Sequence, residues 1–232
     1  MTTAQGVILE QPRAIKVGSV PRLGEVYRFS GPLPKQLGAF GNVGIPAPYI
    51  VDSQDVTAMR LDSEIHDSTR TSVAPIALKG APTILYRPSL IMMDFLMAEE
   101  AVSANASDRH LVVPRGYYDR AEARAKLEAG IAPEDRTTIS LLSEGDLELR
   151  QGDDRARFIL GAREEEYFER FGHRIITLEN LQGSSGQDAS VNYLWFGDPQ
   201  CGSGLDCGGR GLGDAGSAFG VRRVLAGEAS VA

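Results

Sequence analysis

The sequence predicts an α+β fold: a compact mixed body with one β-hairpin and two to three helices, flanked by an extended, proline-containing N-terminal arm and a glycine-rich C-terminal segment. Runs with strand-like alternation and runs with helical spacing follow one another without the strict strand–helix alternation of a parallel sheet. Six of the twelve prolines (Pro12, Pro21, Pro32, Pro34, Pro46 and Pro48) lie in the first fifty residues, where they disfavour long helices and central strands. Eleven of the 26 glycines lie between Gly183 and Gly220, eight of them after Cys201, which makes that stretch rich in loops. The chain therefore divides into an arm or meander over residues 1–55, a body over 56–182, and a C-terminal segment with a final strand over 183–232.

In the arm, Gly6–Leu9 and Glu25–Phe29 fit short extended pieces, and Gly38–Gly44 reads as a loop. In the body, Ile84–Tyr86 is a strand. Ser89 offers an N-cap to a helix over Leu90–Ser103, whose apolar residues surround most of its circumference and mark it as buried. His110–Val113 suits a strand and Pro114-Arg-Gly a turn. Asp119 and Glu122 have capping-box spacing, which predicts a helix from there to Gly130 with Glu122 and Lys126 paired at i,i+4. Leu147–Arg150, Gln151–Asp154 and Arg155–Leu160 read as the strand, turn and strand of the hairpin. A helix over Ala162–Phe171 puts Tyr167, Phe168 and Phe171 on one face and ends at Gly172. Arg174–Glu179, Val191–Phe196 and Phe219–Leu225 complete the strands.

Composition narrows the function classes. Thirty-one Asp and Glu against 24 Lys and Arg leave a formal charge of −7, which counts against a stand-alone nucleic-acid binder but permits a local basic surface. No apolar run approaches the ~20 residues that span a bilayer. Leu90–Val102 is interrupted by Asp94, Glu99 and Glu100. Met1–Gly6 lacks the basic-then-apolar pattern of a secretory signal, and Cys201 and Cys207 are too few for a disulfide framework. The expected location is the cytoplasm or an assembled particle, with no membrane partner.

The chemistry-bearing residues form few patterns. His66, His110 and His173 are far apart, and Cys201 and Cys207 have no second pair to complete a tetrahedral site, so neither metal nor cofactor is expected. Gly211-Leu-Gly213-Asp-Ala-Gly216 matches GxGxxG, but the sixteen residues after it cannot supply the strand and acidic residue of a dinucleotide fold. Asp198, Asp206 and Asp214 recur every eight residues, one short of the nine-residue calcium-binding repeat. Ser30, Ser72 and Ser185 sit in no nucleophile elbow. Glu164 and Glu166 could serve as an acid/base pair with Arg28 holding an anion. Acids in a first helical turn also complement the helix dipole without any chemistry.

The stretch Gly209-Arg-Gly-Leu-Gly-Asp-Ala-Gly-Ser-Ala-Phe-Gly-Val-Arg-Arg-Val-Leu225 is similar to the glycine-rich loop and final strand of the RAMP superfamily, the RNA-binding proteins of CRISPR systems. The resemblance implies a loop whose backbone amides approach guide-RNA phosphates. Its site residues would be Arg210, Gly211, Gly213, Gly216, Gly220, Arg222 and Arg223. Asp214 departs from the pattern, standing where basic residues usually precede the last glycines.

A body between two long ends of poor periodicity points first to a non-enzymatic structural subunit of a large assembly, such as a virion-type protein. Its partners would be copies of itself or other subunits. An RNA-binding subunit and an enzyme using Glu164 and Glu166 are the alternatives.

Overall fold

Strands distant in sequence pair with each other in the larger of two sheets. The computed structural model describes residues 14–31, 36, 39, 50–87, 110–141, 147–172, 174–177, 188–199, 204–206 and 216–222. In it, β1 (Ile15–Val20) and β2 (Gly24–Gly31) form a hairpin. Its turn is closed by Leu23 N–H on the Val20 carbonyl and carries Arg22 at φ 70° and Gly24 at φ 89°. A strand near the C-terminus, β13 (Gly216–Arg222), runs antiparallel to β2 over seven residues, from Gly216 opposite Gly31 to Arg222 opposite Glu25.

The first sheet continues through β3 (Thr69–Arg70), β11 (Trp195–Phe196), β12 (Leu205–Asp206), β9 (Arg174–Thr177) and β8 (Leu147–Leu149), in the order β1-β2-β13-β3-β11-β12-β9-β8. A second sheet has the order β6 (Leu111–Pro114), β10 (Asp188–Val191), β4 (Ala74–Ala77), β5 (Ile84–Tyr86), β7 (Thr138–Ser140), with antiparallel neighbours throughout. The helices are α1 (Ser53–Asp62), α2 (Gly116–Leu127), α3 (Asp154–Leu160) and α4 (Glu164–Phe171).

The larger sheet is apolar on both faces because its central strands alternate inward residues to each side. Val26, Phe196, Phe219 and Val221 join one cluster with Met59 of α1, Phe158 of α3 and Tyr167 of α4. Phe29, Trp195 and Ala218 join the other, with Ile76 and Ile84 of the second sheet and Tyr118 of α2. Each fully buried aromatic or branched side chain contributes about 1.5–3 kcal/mol relative to exposure.

These observations place the chain in the α+β class and correct several local expectations. The boundary at residue 55 does not separate arm from body: β1 and β2 are sheet strands, and Val26 and Phe29 are core residues. Arg155–Leu160 is helix rather than the second strand of a hairpin. Asp153 caps it, its Oδ1 accepting from Arg155 N–H at 2.8 Å, and the run Ala156, Phe158, Ile159, Leu160 is buried on α3. The helix expected from Asp119 starts at Gly116, so that Tyr118 is buried and donates to the Pro82 carbonyl. Asp119 caps nothing and pairs with Arg115 instead. The single strand expected over Val191–Phe196 is two strands in different sheets, and the last strand begins at Gly216, three residues before Phe219.

The sequence reading places no element at α1, since half of that helix's buried residues are polar: Ser53, Thr57 and Arg60. Its start is nevertheless written locally, in a reciprocal Asp52–Asp55 capping box. The expected elements at Gly6–Leu9 and Leu90–Ser103, all of Gly38–Gly44 except Ala39, both cysteines and His173 lie outside the described residues. Among the described residues, no helix is long and apolar enough to cross a membrane.

Candidate functional site

The three residues of the expected acid/base site do not converge. Glu164 opens α4 and is buried, with Oε1 accepting from the Gly152 N–H at 2.9 Å. Glu166 is on the surface and is gripped in two bonds by Arg163, whose Nη1 also reaches Asp62 Oδ1 at 2.7 Å. The hydrogen bonds from that guanidinium hold the Glu166 carboxyl below the usual range, which makes it a poor base. Arg28 donates to Asp67 Oδ2 at 3.2 Å. The reason for the divergence is helical geometry, because residues two apart on a helix do not share a face. Among the described residues, no group of three or more His, Cys, Asp or Glu side chains is placed to hold a metal ion.

Of the residues that the resemblance marks for RNA contact, Gly216, Gly220 and Arg222 lie in β13. Gly216 and Gly220 are paired with Gly31 and Tyr27 of β2; Gly220 falls in the expected final strand, and Gly216 extends that strand toward the loop. The backbone of Arg222 closes the same ladder opposite Glu25. Arg210, Gly211, Gly213 and Arg223 lie outside the described residues.

Two buried arginines, which the sequence reading passed over, anchor the glycine-rich stretch. Arg60 of α1 donates from Nη1 to the Tyr167 hydroxyl at 2.7 Å and from Nη2 to the Gly197 carbonyl at 2.5 Å. Gly197 N–H in turn donates to the Gly204 carbonyl, next to the β11–β12 pairing. Arg70 of β3 donates from Nη1 to the Gly31 carbonyl and to Gln36 Oε1, both at 2.9 Å. Gln36 Nε2 then reaches the Gly216 carbonyl at 2.5 Å, where β13 begins. The Arg70 guanidinium lies 4.9 Å from the Tyr193 ring centroid and 5.9 Å from that of Trp195.

Both guanidiniums are spent on fixing backbone carbonyls, and both side chains are shut off from solvent. Their chemistry is therefore that of clamps. Arg60 secures Gly197, next to β11, and Arg70 acts through Gln36 on Gly216, where β13 begins. The two ends of residues 197–216 are thereby held on a rigid frame. Such clamps leave no local signal: half of the buried residues on the helix of Arg60 are polar, and Arg70 lies in a two-residue strand.

No family model and no curated protein matches this sequence. A solved structure does match in three dimensions, at a TM-score of 0.56 and 13% identity, over 88% of this chain and 100% of the other. Its report describes "accommodation of massive sequence variation in Nanoarchaeota by the C-type lectin fold". At that identity the likeness concerns the fold: the chain is built like a C-type lectin domain.

Proposed function

We propose that this chain is a non-enzymatic subunit of a multi-subunit assembly that contacts its neighbours through residues 197–216, the C-type-lectin-like frame serving as the mount. The observation that carries this reading is the pair of clamps. From inside the core, Arg60 holds the Gly197 carbonyl directly and Arg70 holds Gln36, which bonds the Gly216 carbonyl, so both ends of the glycine-rich stretch are tied to the frame. Such a frame can vary its contact surface without refolding, and the fold's reported accommodation of massive sequence variation in Nanoarchaeota is in keeping with it. Burial of the stretch against a neighbour would contribute about 25 cal/mol per Å² of apolar area before the ordering cost of glycine is subtracted. The divergent placement of Glu164, Glu166 and Arg28 favours a binding role over an acid/base enzyme.

The test is native mass by light scattering, with and without nuclease, for the intact chain and for a variant whose residues 207–215 are replaced by Gly and Ser at equal length. The reading expects a nuclease-resistant oligomer that becomes a monomer in the variant with its unfolding temperature retained. A monodisperse monomer from the intact chain at high concentration overturns it. Co-purifying protected RNA, released by salt, overturns it in favour of phosphate contacts through Arg210, Arg222 and Arg223.

A further inference from the structure

We draw no further inference here: the strongest candidate, the exposed apolar side chains of Leu127 and Ile131 at and just beyond the C-terminal end of α2, carries nothing because nothing among the described residues shows what covers them.

Discussion

Arg70 and Gly216 compete for the same space: a Cβ at Gly216 would lie 3.0 Å from both Cζ and Nη1 of Arg70. Arg70 has no room to yield, being fully buried and bonded to Gly31 and Gln36. Glycine at 216 is thus explained by a guanidinium inside the protein, without any external ligand. Gly216→Ala should lower stability by about 1–3 kcal/mol, as overpacking does. Gly116 at the start of α2 has open space around its Cβ position, so Gly116→Ala should be neutral or stabilising by up to about 1 kcal/mol. Paired thermal unfolding curves decide both; equal melting temperatures for the two variants would contradict the packing argument.

Arg87 ties three segments together. Its guanidinium donates to the carbonyls of Glu134 and Phe158, lies 3.8 Å from Asp52 and stacks 4.3 Å from the Phe158 ring centroid. Burial pushes its pKa down, against the opposing pull of Asp52, Asp55 and Asp135. Arg87→Met should cost about 3 kcal/mol, because it leaves buried carbonyls without donors and Asp52 without its cation. Arg150→Met, at an exposed pair with Glu148, should leave the urea midpoint where it was.

Glu128 is the buried acceptor that joins the end of α2 to β7. It takes bonds from Thr137 N–H and Oγ1 at 2.9 and 2.6 Å, from Thr138 N–H and Oγ1 at 3.0 Å each, and from Arg124 Nε. Burial alone would raise its pKa, but the hydrogen bonds from Thr137, Arg124 and Thr138 together outweigh it and hold the carboxyl down at about 2. The unfolded chain titrates this group near ~4.3. The folded value is the lower one, so the stabilisation is complete above ~4.3 and disappears as pH falls toward the folded value. Glu128→Gln should cost about 1–3 kcal/mol at neutral pH. Urea midpoints of the two proteins should converge between about pH 4.3 and 2; a gap independent of pH would remove the ionised carboxylate from the account.

Glu164 and Glu166 should part company on substitution. Glu164→Ala leaves the Gly152 N–H without its acceptor and should lower stability by about 1–2 kcal/mol. Glu166→Ala breaks only a surface pair with Arg163 and should scarcely move the melting temperature. A shared catalytic role would instead require both substitutions to abolish an activity without loss of fold.

Legibility followed the reach of the interactions. Glu25–Phe29, Ile84–Tyr86 and the helix carrying Tyr167 and Phe168 could be read because local pattern and burial agree there. Arg155–Leu160 could not, because four apolar residues in five suit a buried strand and a buried helix alike. The deciding feature was the Asp153 cap at its start. The candidate site was harder still. Its glycines stand out in composition, while the arginines that hold them lie in segments with no apolar periodicity.

Sequence alone settled the α+β class, the acidic surface and the concentration of glycine before the last strand, since these depend on composition and on neighbours a few residues apart. Tertiary structure decided what that glycine is for. Gln36 reaches Gly216 across 180 residues and Arg60 reaches Gly197 across 137, bonds that leave no local pattern because their partners meet only once both sheet faces are packed.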